Sequence, residues 1–194
     1  AEVTYDNSTA LADADKAVTD FAAFTNSYSA TGTLSLEVAK DFTGRPNDAW
    51  LTTDSFSFSV AADEADVTSG AVIMPAETTA EINYYDDDKK IAFGNITFTK
   101  PGEYTFTVTE AQGNIQGVTY DEHVERTVTV TVTDNLDGTL TPSVTAVTPE
   151  ADGTDIVFHN VYTAGPVTVN GAADLQVIKT VEGRDTWLDG ETYS

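Results

Sequence analysis

The sequence predicts an all-β sandwich, and three observations carry that reading. First, apolar and polar residues alternate over many short segments rich in Thr and Val. A period of two is the signature of a strand that buries one face and wets the other. Second, turn signals punctuate these segments: Lys100-Pro101-Gly102, Gln112-Gly113-Asn114, and Asn135 to Gly138. Many short strands separated in this way indicate a sandwich. Third, the chain repeats itself. Leu36, Val38, Lys40, Gly44 and Arg45 recur as Leu175, Val177, Lys179, Gly183 and Arg184. Trp50-Leu51 recurs as Trp187-Leu188. Phe24, Asn26, Tyr28 and Ala30 recur as Phe158, Asn160, Tyr162 and Ala164. Such self-similarity fixes the unit of folding before any fold is assigned.

The repeat divides the chain into three parts. Residues 1–30 read as the last strands of a preceding repeat, 31–163 as one whole repeat, and 164–194 as a linker and the first strand of a following repeat. The chain is therefore expected to be an excerpt from a longer protein. In the first part, Ala10 to Val18 is helical by composition, and Ala22, Phe24, Asn26 and Tyr28 form one stripe. In the whole repeat, strands are expected at Leu34–Lys40, around Phe56, Phe58 and Val60, at Ile96–Phe98, at Tyr104–Glu110, around Val128, Val130 and Val132, and at Ile156–Tyr162. Residues 61–90 are less regular and read as a long excursion. In the last part, Leu175, Val177 and Lys179 share a face.

The composition excludes several functions. The 194 residues carry a formal charge of −23, with only nine Lys and Arg. Nucleic acid is excluded as a partner, because phosphate binding needs a basic patch. Anionic membranes are disfavoured for the same reason, and no apolar run reaches spanning length. Cysteine is absent, so no disulfide or thiol chemistry is available. Dispersed acid groups favour solubility and discourage aggregation between neighbouring domains.

Three polar residues sit on apolar faces. Leu34, Leu36 and Val38 are followed in phase by Lys40. Tyr104, Phe106 and Val108 are followed by Glu110. Ile156 and Phe158 are followed by Asn160, then Tyr162. Burying an amine, a carboxyl and a carboxamide is costly unless they satisfy one another. The same three groups are also a reactive set. An amine attacks an amide carbon while a carboxyl group shuttles protons, and the product is a Lys–Asn isopeptide bond. Lys179 and Asn26 repeat the lysine and the asparagine, but neither flanking part has a counterpart of Glu110.

Other motifs read as structure. Asp134 to Gly138 lacks the further ligands of a calcium loop and reads as a hairpin turn. Tyr84 to Asp88 reads as a solvated acidic loop. His123 and His159 are too few for a histidine metal cluster, so no metal or cofactor is expected. His159 faces opposite Asn160 and reads as a surface or edge residue. Trp50 and Trp187 read as packing residues. Asn7 and Asn95 fit the glycosylation triplet, a weak signal. Nothing resembles a nucleophile elbow.

The segments Pro101–Glu110, Gly117–Asp121, Thr127–Asp134 and Phe158–Tyr162 resemble the isopeptide-linkage repeat of Gram-positive, streptococcal-type pilins and surface adhesins. The resemblance covers about residues 34–162. It implies an immunoglobulin-like sandwich of the collagen-adhesin B type, exported and displayed on the cell wall. It implies Lys40 and Asn160 as the cross-linked pair and Glu110 as the catalytic acid. The expected mechanism has a neutral Glu110 polarising the Asn160 carbonyl and relaying the amine proton to leaving ammonia. The expected function is structural: a stalk repeat of an adhesin or pilus, with neighbouring copies or repeats as partners and no enzymatic turnover. The alternative is a ligand-binding adhesin module that recognises a host ligand through loops such as 61–90.

Overall fold

The computed structural model describes residues 26–149, 153–169, 182–183, 189–190 and 192. The helical-composition segment Ala10 to Val18, and Ala22, Phe24, Leu175, Val177, Lys179 and Trp187, lie outside the described residues.

The chain runs through β1 (Gly32–Leu34), β2 (Glu37–Thr43), β3 (Ser55–Ala62), α1 (Glu64–Thr68), β4 (Val72–Ile73), β5 (Thr79–Asn83), β6 (Lys90–Ala92), β7 (Ile96–Phe98), β8 (Gly102–Glu110), β9 (Val118–Thr119), β10 (Glu125–Asp134), β11 (Leu140–Thr148) and β12 (Ile156–Tyr162). They assemble into a five-stranded sheet in the order β11-β10-β8-β3-β5 and a four-stranded sheet in the order β6-β2-β12-β9. A three-stranded sheet has the order β1-β7-β4. The protein is an all-β sandwich. The expected excursion at residues 61–90 contains α1 and the short strands β4 and β5. Asp63 caps α1 by accepting from the Ala65 N–H.

The alternation decides which face each strand buries. Phe56, Phe58 and Val60 of β3, Tyr104, Phe106 and Val108 of β8, and Val128, Val130 and Val132 of β10 are all buried. They meet Val38 and Phe42 of β2 and Ile156 and Phe158 of β12, also buried. Aromatic contacts tie the two layers: Phe58 to Phe158 at 5.4 Å and Phe42 to Phe56 at 5.2 Å between ring centroids. Phe98 of β7 packs on Tyr104 and Phe106 of β8, so the three-stranded sheet covers the rest of the same face. Each fully buried phenylalanine contributes on the order of 2 kcal/mol. Trp50 stacks edge-on against Phe42 and Phe56, the packing role expected of it.

Most neighbours are antiparallel, but β12 pairs with β2 in parallel: Ile156 lies opposite Val38, Phe158 opposite Lys40, and Asn160 opposite Phe42. The first long strand and the last are thus adjacent. Gly44, at φ +92°, ends β2 where an added Cβ would lie 2.2 Å from the Tyr162 carbonyl oxygen. Only glycine permits that approach without strain. Asp134 to Gly138 forms the β10–β11 hairpin turn, as expected. Among the described residues, no helix is long and apolar enough to cross a membrane.

Candidate functional site

Lys40, Glu110 and Asn160 meet in the interior between the two main sheets. Each arrives there by strand periodicity. Lys40 sits between Val38 and Phe42 on the inner face of β2. Asn160 follows Phe158 on the inner face of β12. Glu110 ends the inner face of β8, in the opposite sheet, in register with Phe58. All three are buried, at 4%, 2% and 1% exposure for Lys40, Glu110 and Asn160.

The polar contacts converge on one oxygen. Glu110 Oε1 lies 2.8 Å from Lys40 Nζ and accepts a hydrogen bond from Asn160 Nδ2 at 2.9 Å. Lys40 Nζ also donates to the Phe158 carbonyl at 3.2 Å and lies 4.9 Å from the centre of the Phe56 ring. The Asn160 carbonyl is turned the other way. Its Oδ1 accepts from the Asp121 backbone N–H at 2.8 Å. Here the structure differs from the sequence reading, in which Glu110 polarises that carbonyl. Glu110 faces the nitrogen side of the carboxamide, and a backbone amide faces the oxygen.

Burial pushes the Lys40 amine down to about 8 from an ordinary 10.5, against the opposing pull of Glu110, Asp121 and Asp41. At pH 7 about one amine in ten is then neutral, and only the neutral form is a nucleophile. Glu110 Oε2 is buried with no hydrogen-bond partner. Leaving a buried acceptor unpaired costs about 1–3 kcal/mol. Among the described residues, one other buried side-chain polar atom shares that condition, Arg126 Nε, and it belongs to the same neighbourhood. The arrangement can do one thing chemically: an amine, an amide and a shared proton carrier are held together in a dry, aromatic-walled interior.

Two buried ion pairs flank the site, and the sequence reading named neither. Arg126 pairs with Asp121 at 2.6 Å, and its guanidinium lies 4.6 Å from the Phe158 ring centre. Arg126 shares a face with Val128, Val130 and Val132, so the rule that found Lys40 applies to it also. Arg45 pairs with Asp54 and sits between the Phe42 and Tyr162 rings, 4.9 Å from each. Its recurrence as Arg184 was the available signal. His159 is exposed and hydrogen-bonds Asp41 at 2.9 Å, a surface residue as expected. Asn26 is exposed and lies outside any strand. Tyr28 is 60% exposed, so these two residues do not form a buried stripe. Instead the Tyr28 hydroxyl donates to Asp134 and accepts from the Gly138 N–H. Lys179 lies outside the described residues.

A family model described as FctA, a Spy0128-like isopeptide containing domain, matches residues 36–163. The chain belongs to this family of Gram-positive pilin isopeptide domains. Among solved structures, the major pilin T-13 of Streptococcus pyogenes is similar at 22% identity and a TM-score of 0.44, over 71% of this chain and 55% of the pilin. The T3.2 major pilin of the same organism is similar at 24% identity and a TM-score of 0.45, over 68% of this chain and 54% of the pilin. The chain spans about half the length of these pilins. No curated protein matches it.

Proposed function

We propose that this isopeptide-family domain is a structural stalk repeat of a bacterial surface fibre or adhesin, locked by a self-generated Lys40–Asn160 isopeptide bond with Glu110 as the catalytic residue. The observation that carries the reading is the shared oxygen. Glu110 Oε1 contacts both the attacking amine and the departing nitrogen, so one carboxylate serves both proton transfers. The neutral Lys40 amine attacks Asn160 Cγ. Glu110 takes the proton that Nζ loses and returns it to Nδ2, which leaves as ammonia. Juxtaposition across the folded sandwich supplies much of the acceleration. The reaction occurs once per chain, so it is maturation without turnover.

The cross-link closes a loop of roughly 120 residues, worth about 5 kcal/mol on the chain-entropy account of a covalent staple. Residues 31–163 are one repeat on this reading. The family match at 36–163 and the strands from Gly32 to Tyr162 support that boundary. The flanking parts then belong to neighbouring repeats, with Asn26 and Lys179 as their cross-linking residues, and the protein is displayed on the cell wall. Neighbouring copies or repeats are the partners. In the alternative reading, residues 61–90 recognise a host ligand. The surface along α1 is a shallow, open depression lined by Glu64, Ala65, Thr68 and Ser69, with no aromatic side chain to grip a ligand, which favours the spacer.

Intact mass tests the reading. Folded chain is expected to weigh about 17 Da less than its sequence mass, the ammonia lost when an amine displaces a carboxamide nitrogen. Proteolysis should yield one branched peptide joining Lys40 to Asn160. Well-folded protein at the unmodified mass would sink the idea.

A further inference from the structure

We propose that the Asp121 backbone N–H is the oxyanion donor for bond formation at Asn160, and that the Asp121 carboxylate with Arg126 forms a positioning pair that aims it. The inference rests on the isopeptide reading and assigns the half of the chemistry that Glu110 does not reach.

The geometry divides the carboxamide between two partners. Glu110 takes Nδ2, and the Asp121 N–H takes Oδ1 at 2.8 Å. Asp121 lies in the loop between β9 and β10, where a backbone amide is normally free to turn. Here three contacts to its carboxylate hold it. Its Oδ2 accepts from the His159 N–H at 2.9 Å and from Arg126 Nη2 at 2.6 Å. Its Oδ1 accepts from the His123 N–H at 2.9 Å. Arg126 in turn donates to the His123 carbonyl and lies over the Phe158 ring. The loop is therefore clamped to Phe158 and His159, the two residues of β12 immediately before Asn160. Burial would raise the Asp121 carboxyl, but the His159 and His123 amides and the Arg126 guanidinium outweigh it and hold the group below its ordinary value.

Stability alone is a weak reason for such a pair. A buried Arg–Asp pair is often no better than apolar side chains of the same volume. Arg126 is 3% exposed, and its Nε is buried without a partner. What the pair does achieve is a fixed direction for one N–H.

The Lys40 Nζ lone pair forms a bond to Asn160 Cγ, and the carbonyl π electrons move onto Oδ1. The Asp121 N–H, already aligned, stabilises that negative charge as it develops. The proton released by Nζ passes to Glu110 Oε1 and then to Nδ2. The carbonyl re-forms, the Cγ–Nδ2 bond breaks, and ammonia departs. Nothing is oxidised or reduced. A preorganised oxyanion donor of this kind typically supplies a factor of about 10²–10³ in rate.

The decisive experiment removes only the N–H. The full chain is assembled by ligation with malic acid in place of Asp121, so that an ester oxygen replaces the amide nitrogen and the side chain is kept. Refolding is started from denaturant, ammonia loss is followed by intact mass, and folding is followed separately by near-UV circular dichroism. Wild type losing no ammonia would sink the isopeptide reading and this inference with it. Wild type reacting, with the folded ester chain slower by about 10²-fold or more, is the expected result. A folded ester chain reacting at the wild-type rate overturns the oxyanion assignment and leaves the isopeptide reading intact. Asp121→Asn, Asp121→Ala and Asp54→Ala decide the matter if the ester chain does not fold. Asp121→Asn keeps one oxygen, which can serve the His159 amide and Arg126 but not the His123 amide as well, and should retain more of the rate than Asp121→Ala. Asp54→Ala breaks the other buried pair and lowers stability, yet should react at the wild-type rate while folded. Equal rates for Asp121→Ala and Asp54→Ala at matched stability overturn the proposal.

Discussion

Asn160 stands two residues beyond Phe158, the register partner of Lys40 on the adjacent parallel strand. The Lys40 and Asn160 side chains therefore share one face of one sheet as diagonal neighbours, and Glu110 reaches them from the opposite sheet. The parallel pairing matters as much as the proximity. The chain passes from β1 into the start of β2 and leaves at the end of β12, so the two strands are loaded in shear when residues 31 and 163 are pulled apart.

Asn160→Ala should fold, stay at its sequence mass and melt lower. It removes the electrophile but leaves the Lys40–Glu110 pair in place. Loss of a staple worth about 5 kcal/mol corresponds to a drop on the order of 15 °C for a domain of this size. Calorimetry on both chains checks it. A melting temperature within a few degrees of wild type would mean that no cross-link contributes to wild-type stability.

Glu110→Gln should fold and fail to react. Glutamine keeps the shape of the side chain and a hydrogen-bonding oxygen but cannot take a proton from Nζ. Loss of general acid–base help is worth about 10²–10⁴ in rate. Mass measured over time after refolding reads this directly. Cross-linking at the wild-type rate would remove Glu110 from the proton path.

The three residues that meet at the candidate site were legible in the sequence for a simple physical reason. A strand places alternate residues on one face, so Lys40, Glu110 and Asn160 each announce themselves as polar interruptions of an apolar series. Arg126 obeys the same rule. It stands at the beginning of its series, where a charged residue reads as a strand edge at the surface. Asp121 had no such signal. It lies in a loop, where no period applies, and its contribution to the site is a backbone N–H that any residue but proline carries. The sandwich itself was legible from the alternation and the turns. Its division into three sheets was not, because the pairing of β2 with β12 joins residues at opposite ends of the repeat and leaves no local trace. The segment 61–90 hid α1, β4 and β5, since elements this short fall below the length at which periodicity can be read.

The rate of bond formation should depend on pH in a way that distinguishes two roles for Glu110. Burial lowers Lys40 to about 8, while the charges facing it, Glu110 across the sheet, Asp121 from the loop and Asp41 on its own strand, act to raise it. Below that value the amine is mostly protonated, so a carboxylate shuttle predicts a rate that climbs about tenfold per pH unit up to 8 and levels above it. If a neutral Glu110 were needed instead, amine and acid together would hold one proton, the same count as the ion pair. The rate would then be flat below pH 8 and fall above it. Chain recovered unreacted in denaturant and diluted into buffers from pH 6 to 10, with ammonia loss followed by mass, separates the two. The shared position of Glu110 Oε1 between two N–H donors favours the first profile.

The proposed bond has a direct mechanical consequence. Tension applied at the two ends of the repeat reaches Lys40 from one side and Asn160 from the other. With a covalent bond between them, force passes from β2 to β12 without loading any residue in between, and the sandwich need not resist unfolding at all. Without the bond, the same force shears β2 from β12 and the whole interior pays out. At about 3.4 Å per extended residue, the roughly 120 residues between the two positions release about 400 Å. Single-molecule pulling through residues 31 and 163 should therefore show no domain-sized step for wild type at forces that unfold ordinary sandwiches. Asn160→Ala should show one step of about 400 Å per repeat. A wild-type trace containing that step would mean that Lys40 and Asn160 are not joined, and that this repeat bears load only through its hydrogen bonds and its core.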